Sequence, residues 1–287
     1  VEDHSWVIGD FIWTAFDYIG EASIGWCGYP LDKRIFPWNH ANCGDLNLSG
    51  ERRPQSYLRE TLWSETPVSH IVVTPPVPSF PLNPDKADWS VWDFPDVVDH
   101  WNFPGYEGKK MTVSVYSNCE QVELFLNGES LGKQENTADK KNTLAWEVPY
   151  AHGILKVVSY NKGGEVGTAT LESAGKVEKI RLSADRTEIV ADGNDLSYIT
   201  LELVDSKGIR NQLAEELVEF SIEGDATIEG VGNANPMSIE SFVANSRKTW
   251  RGSNLLVVRS GKSSGRIIVT AKVKALPVAS ITITQKK

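Results

Sequence analysis

The sequence predicts a mainly β chain in which two β-sandwiches follow a single strand–loop–helix unit. Three observations carry this reading. From Lys110 to Leu171, short alternating runs recur between turn signals, and no convincing helical periodicity interrupts them. A second set of such runs, with different motifs, extends from Lys179 to Thr284. Helical spacing is confined to a stretch from about Pro54 to Trp63, behind a front end that reads as one buried strand.

The front-end strand is Val7 to Thr14, rich in β-branched and aromatic residues, and Asp17 to Glu21 reads as the loop that leaves it. A strand this apolar needs cover on both faces, as in one βα unit of a larger parallel sheet or barrel. Only six residues precede it, so the chain is expected to be the tail of something longer. Ala22 to Ser49 contains Gly25, Gly28, Pro30, Pro37 and Gly44, which exclude a long regular element. Loops of this length in compact domains tend to be functional. Its Trp26, Tyr29, Phe36, Trp38 and His40 suit the faces of sugars, or equally pack their own rings against the body of the protein. Ser49 and Pro54 then signal a helix onset. Tyr57, Leu58, Thr61 and Leu62 mark its buried face, and Thr66-Pro67 ends it.

A new domain is expected at Val68. His70 to Thr74 reads as a strand, and prolines from Pro75 to Pro84 make the next stretch irregular. Lys110 to Tyr116 alternates as a half-buried strand. Val122 to Leu126, Asn127-Gly128 and Glu129 to Leu131 form the strongest hairpin signal, because Asn-Gly supplies the two positive φ angles of a type I′ turn. Thr143 to Val148, Ile154 to Asn161 and Glu165 to Leu171 follow, with Gly163-Gly164 expected to turn the last pair. These elements describe an Ig-like sandwich over 68–175. A second covers 176–287, with strands at Lys179 to Ser183, Ile199 to Asp205, Val218 to Glu223, Leu255 to Arg259, Arg266 to Val273 and Ala279 to Thr284. Asp205-Ser206-Lys207-Gly208 and Ala191-Asp192-Gly193-Asn194 read as turns.

Composition narrows the function. The 287 residues carry a formal net charge of -9 with both signs interspersed, which argues against nucleic acid, since phosphate binding needs a basic face. No apolar run reaches about 18 residues, so no membrane span is expected. The three cysteines, Cys27, Cys43 and Cys119, are too few and too irregular for a disulfide framework or a zinc site. A Cys27–Cys43 bridge within the front loop stays open as one alternative. No metal and no cofactor is expected.

Gly9-Asp10-Phe11-Ile12-Trp13-Thr14-Ala15-Phe16-Asp17-Tyr18-Ile19-Gly20-Glu21 resembles the eighth-strand motif of the catalytic barrel in glycoside hydrolase family 2, the β-galactosidase family. Cys43-Gly44-Asp45-Leu46-Asn47-Leu48-Ser49-Gly50-Glu51-Arg52-Arg53-Pro54-Gln55-Ser56-Tyr57 is similar to the segment that leads into the last barrel helix. Trp101 to Lys109 and Val122 to Gly132 resemble the domain that follows, in the branch with extra C-terminal Ig-like domains. The resemblance implies that residues 1–67 are the last strand, long loop and last helix of a truncated (β/α)8 barrel. It implies two Ig-like β-sandwich domains behind them, the second resembling the bacterial modules that close this branch. Gly230-Val231-Gly232-Asn233-Ala234-Asn235-Pro236 then looks like the family's glycine-rich loop; with strands on both sides and no P-loop lysine it is no nucleotide cradle.

Retaining glycosidases use two carboxylates about 5–5.5 Å apart. The resemblance places both on earlier barrel strands, so no catalytic residue is expected in this chain. Asp10, Asp17, Glu21 and Asp45 are the carboxylates near the barrel top. Asp17 and Glu21 are the pair to consider for the pocket, set against the scaffold role that the resemblance gives them. By the resemblance, Trp13 stands at the end of the eighth strand and stacks on the terminal sugar; a plain core tryptophan is the alternative. Trp38 and His40 are expected either to line the outer pocket or to pack within the loop. Trp89, Trp92, Phe94, Trp101, Phe103 and Tyr106 read as a carbohydrate face or, more economically, as anchors of a long connection.

The implied activity is that of a retaining exo-β-glycosidase acting on a terminal β-linked sugar, galactose first. Within it this chain supplies one pocket wall and accessory domains and is inactive alone. A carbohydrate-binding module and a purely structural Ig-like tail are the rival readings. The apolar faces of residues 1–63 must meet the missing catalytic barrel, the sandwich or another copy of the chain. The resemblance also implies a periplasmic or secreted protein, although no targeting segment is visible.

Overall fold

A computed structural model describes residues 4–9, 11–21, 36–79 and 95–287. Among the described residues, the strands at the front of the chain are a two-residue antiparallel ladder, β1 (Tyr18–Ile19) with β2 (His40–Ala41). A 3-10 turn at Pro54–Ser56 leads into α1 (Tyr57–Trp63). Pro54 begins it, where the missing N–H removes no helical bond.

The expected buried strand over Val7 to Thr14 does not form among the residues described. Ile8 and Phe11 are fully exposed. A parallel barrel strand is held by ladders to neighbours on both sides, and among the described residues no strand flanks it. The same cause corrects part of α1. Thr61 is buried, and Tyr57 and Leu58 pack on Val72, Val97 and Tyr116. Leu62, expected on that face, is exposed together with Trp63. The helix therefore docks on the first sandwich by the Tyr57 side, with the Tyr57 ring stacked on His70 at 4.3 Å.

The first sandwich is built from β3 (Ser69–Val73), β4 (Lys110–Ser117), β5 (Gln121–Leu126), β6 (Glu129–Glu135), β7 (Thr143–Pro149), β8 (Ile154–Asn161) and β9 (Gly164–Glu172). Its sheets have the orders β3-β4-β7 and β6-β5-β8-β9, antiparallel throughout. Alternation decides which faces meet. Met111, Val113 and Val115 of β4 face Val122 and Leu124 of β5 and Leu155 and Val157 of β8 in one core. Asn127 and Gly128 both take positive φ, as the hairpin demands. The β8–β9 turn sits one residue earlier than expected, on Lys162 and Gly163, because Asn161 pairs with Gly164.

The second sandwich contains β10 (Lys179–Ala184), β11 (Glu188–Val190), β12 (Leu196–Val204), β13 (Leu217–Glu223), β14 (Ala226–Gly232), β15 (Ser246–Lys248), β16 (Ser253–Ser260), β17 (Gly265–Val273) and β18 (Ala279–Lys286). Sheet β10-β12-β16-β14 packs on sheet β11-β18-β17-β13-β15. Leu201, Leu256 and Val258 from one side meet Phe220, Ile267 and Val269 from the other. Pattern reading misses β11 and β15, which are three residues long, and β14, which has two glycines and a bulge between Ile228 and Gly230. The expected glycine-rich loop is thus the end of β14 and the turn after it.

The aromatic run ahead of β4 is an anchor where it is described. Trp101 and Phe103 are buried and Tyr106 is partly buried against the same core. Trp89, Trp92 and Phe94 lie outside the described residues. Expected boundaries at 67/68 and 175/176 fall between α1 and β3 and between β9 and β10. At the first, Asn118 accepts the Val68 N–H and donates to the Ser64 and Thr66 carbonyls. At the second, the Asp205 carboxylate accepts N–H groups from Gly175, Lys207 and Ile209. Among the described residues no helix is long and apolar enough to cross a membrane.

Candidate active-site wall

The residues after Trp13 are zipped along a second segment by backbone bonds. Thr14 N–H donates to Cys43 O at 3.1 Å, Leu46 N–H to Ala15 O at 2.8 Å and Asp17 N–H to Leu46 O at 2.9 Å. Phe16 and Leu46 form a parallel bridge. Gly44 permits this approach: a Cβ there would lie 2.3 Å from Asp17 N and 2.4 Å from the Phe16 carbonyl carbon, both backbone atoms.

Asp17 is the buried hub. Its Oδ1 accepts the Gly44 N–H at 2.7 Å and faces Arg53 Nη1 at 3.2 Å. Arg53 Nη1 also donates to Gly44 O at 3.2 Å, and its own N–H to Asp45 O at 2.8 Å. Burial pushes the Asp17 carboxyl up to about 6, against the opposing pull of Arg53 and the backbone donors. Burial also lowers Arg53, so on both partners desolvation outweighs their attraction. Asp45 pairs with Arg59, with Nε to Oδ2 at 2.9 Å. Asp10 lies outside the described residues.

Trp13 has the opposite placement. The residue is 59% exposed, with its indole N–H donated to Tyr18 Oη at 3.3 Å and its ring T-shaped to Tyr18. The Tyr18 hydroxyl donates to Glu21 Oε2, and burial and that bond raise its pKa to about 12. The edge N–H is tethered while the residue stays mostly exposed. Asp17 and Glu21 have different surroundings, one enclosed against Arg53 and one exposed on Tyr18.

Trp38 and His40 lie inside. Trp38 donates its indole N–H to His40 O at 2.6 Å, and His40 is fully buried. Neither presents a face to solvent, so in this structure they pack within the loop and do not line a pocket. His40 Nδ1 donates to Asn39 Oδ1 at 3.0 Å, which leaves the Nε2 lone pair buried without a partner. Burial holds this imidazole down at about 4. Cys43 is a free, buried thiol; Cys27, the other half of the bridge considered above, lies outside the described residues. Among the described residues no group of three His, Cys, Asp or Glu side chains is placed to hold a metal ion.

Gly44, Arg53, Tyr18 and Asn39 were not singled out by sequence reasoning. The Tyr18–Glu21 spacing was the one local signal, since a hydroxyl and a carboxylate three residues apart across a turn can meet.

The buried groups predict a pH response with a definite sign. His100 accepts the Asn102 N–H on Nδ1 at 3.2 Å, so it is neutral, and burial lowers it to about 4. In the unfolded chain His40 and His100 titrate near 6.5, so their stabilising contributions are present above 6.5 and lost as pH falls toward 4. Asp17 is raised, so its contribution is complete below 3.8 and lost as pH rises toward 6. Each shift is on the order of 3 kcal/mol, and two histidines outweigh one aspartate. Urea unfolding at stepped pH should show stability falling from pH 6.5 to 4. His100→Gln should flatten that fall and Asp17→Asn should steepen it; the reverse ordering contradicts the assignment.

Comparison with known proteins agrees with this architecture. The profile of glycoside hydrolase family 2 C-terminal domain 5 matches residues 180–282, and that of a domain of unknown function, DUF4982, matches residues 108–167. β-Galactosidase BoGH2A of Bacteroides ovatus is 32% identical over 288 residues, covering 100% of this chain and 29% of that protein. A putative β-glucuronidase of Formosa agariphila is 29% identical over 239 residues, covering 83% of this chain and 20% of that protein. The crystal structure of a glycosyl hydrolase family 2 member from Bacteroides cellulosilyticus superposes with a TM-score of 0.97 at 98% identity. It covers 100% of this chain and 37% of that one. The chain therefore spans well under half the length of the relatives it matches.

Proposed function

Because the chain belongs to glycoside hydrolase family 2, we propose that it forms one wall of the sugar pocket and the accessory domains of a retaining exo-β-glycosidase, with terminal β-galactose as the first substrate class. One observation carries the reading: Trp13 is held by its edge N–H through Tyr18 and Glu21 while the residue stays mostly exposed. An indole so placed offers an apolar face to sugar C–H groups and orients the ring without using a charge. The acid/base and nucleophile lie on other barrel strands, since Asp17 is consumed by Arg53 and Gly44 and Glu21 by Tyr18. The exposed apolar front, Ile8, Phe11 and Phe16, meets the rest of the barrel, or a second copy of this chain when the barrel is absent. The proposal includes a periplasmic or extracellular location, which cell fractionation tests.

The binding-module reading has less support, because the described members of the aromatic run pack on the core of the first sandwich, Trp101 and Phe103 buried and Tyr106 partly so. The test is Trp13→Ala in an enzyme of which this chain forms part. The expected result is a loss of roughly 100-fold in kcat/KM on an aryl β-galactoside, since misplacing the sugar costs about that much. The unfolding midpoint should stay unchanged. Undiminished kcat/KM would remove Trp13 from the pocket.

A further inference from the structure

The end of the chain reaches the wall at its beginning. The turn after β14 is bent by Asn233 and Asn235, whose side-chain oxygens accept the N–H groups of Asn235 and Met237. Buried Arg247 on β15 clamps the segment that follows, donating to Val231 O, Glu240 O and Ser238 Oγ at 3.1–3.2 Å, and it stacks on Phe242. Two carbonyls of the clamped loop then face Asn39. Pro236 O accepts the Asn39 N–H at 2.9 Å, and Ser238 O accepts Asn39 Nδ2 at 2.7 Å across 199 positions of sequence.

From Asn39 the connection continues into the wall. Its side-chain oxygen fixes His40, and its carbonyl accepts the Gly20 N–H at 3.3 Å. His40 and Ala41 pair with Ile19 and Tyr18, and Tyr18 holds the Trp13 indole. Every link from Arg247 to Trp13 is thus a hydrogen bond or a ladder pair.

We infer that the 233–245 loop of the second sandwich positions the Trp13 wall, with Asn39 as the positioning residue. The terminal sandwich is then a working part of the pocket and not a detachable tail. The sugar role of Trp13 is taken from the proposal above, but the coupling itself is measured without sugar. The ladder is flanked by the Thr14–Asp17 zip to Cys43–Leu46 and by the Trp38 bond to His40 O. Asn39 is the residue that ties this unit to the 233–245 loop, so a shift of that loop is passed directly to β2 and from it to β1.

The test uses the full chain and three variants: Asn39→Ala, Asn39→Asp and Arg247→Met. Hydrogen exchange is followed at the Gly20 and Asn39 amides, and fluorotryptophan NMR reports on Trp13, its resonance assigned with Trp13→Phe. Asn39→Ala and Arg247→Met should each speed exchange at Gly20 by roughly five-fold, the factor expected for one lost hydrogen bond. Both should move the Trp13 resonance, while amides of β5 keep their wild-type rates. Asn39→Asp retains the acceptor for His40 but has no donor for Ser238 O, so it should behave as Asn39→Ala. The inference is overturned if Arg247→Met loosens residues 236–243 while Gly20 and the Trp13 resonance stay as in the wild type. It is equally overturned if Asn39→Asp matches the wild type. Failure of the pocket reading would show in the kinetics of Trp13→Ala and would leave these exchange rates untouched.

Discussion

Trp101→Ala should lower the stability of the first sandwich by about 3–5 kcal/mol, the range for emptying a large aromatic from a packed core. Trp101 has no exposed surface. Its indole N–H donates to Ala151 O at 2.8 Å, and its ring meets Tyr150 and Phe103 edge-on at 4.9 and 5.9 Å. The substitution removes the packing of three rings and orphans the Ala151 carbonyl. Tyr150, whose hydroxyl accepts the Phe103 N–H, cannot follow the cavity without losing that bond. The companion measurement is Trp13→Ala, which should change stability by less than about 0.5 kcal/mol because that side chain is mostly exposed. Urea unfolding of the two variants side by side gives the contrast. Equal losses would mean that Trp13 is a core residue and its open face an illusion.

Arg53→Met should open the wall locally, at a cost of about 3–5 kcal/mol, because it leaves the Asp17 carboxyl buried without its counter-charge. Exchange at the amides of residues 14–17 and 43–46 is the readout, since those bonds join the two segments that Asp17 and Arg53 lock. The pH dependence has a predicted sign. Without Arg53 the Asp17 carboxyl rises above its already elevated value of about 6. A raised carboxyl is better tolerated when protonated, so the cost should be larger at pH 8 than at pH 5. Adding Asp17→Asn should recover part of the loss at pH 8. A cost independent of pH would place the lost energy in packing of the arginine stem.

Much of the fold is legible in the sequence because its determinants are local. Asn127-Gly128 turns the hairpin by its backbone preference, and the alternation in β4 and β16 states which side faces the core. The strand expected over Val7 to Thr14 is the instructive exception. Its apolar side chains encode burial among neighbours on both sides, and hydrophobicity records that requirement wherever the neighbours are. Leu62 and Trp63 on α1 behave in the same way.

The candidate site is legible only in part. Trp13 is reached through a long motif, but what fixes it is tertiary. Gly44 is needed for a close approach of two backbones, and Arg53 for a carboxylate 36 positions away. Asn39 is tied to a loop of the other sandwich. No window of sequence holds such relations. Trp38 and His40 show the converse limit, since aromatic density suits a sugar face and a loop interior equally well.

The most direct test of the central claim is an assay of the purified chain, at high concentration, on aryl β-galactoside, β-glucuronide and β-mannoside, beside Trp13→Ala. The account predicts no hydrolysis above buffer with any of the three, because Asp17 is enclosed against Arg53 and Glu21 is held by Tyr18. Hydrolysis that falls with Trp13→Ala would contradict it. A complete site would then reside in this chain, with Asp17 and Glu21 the pair to replace next.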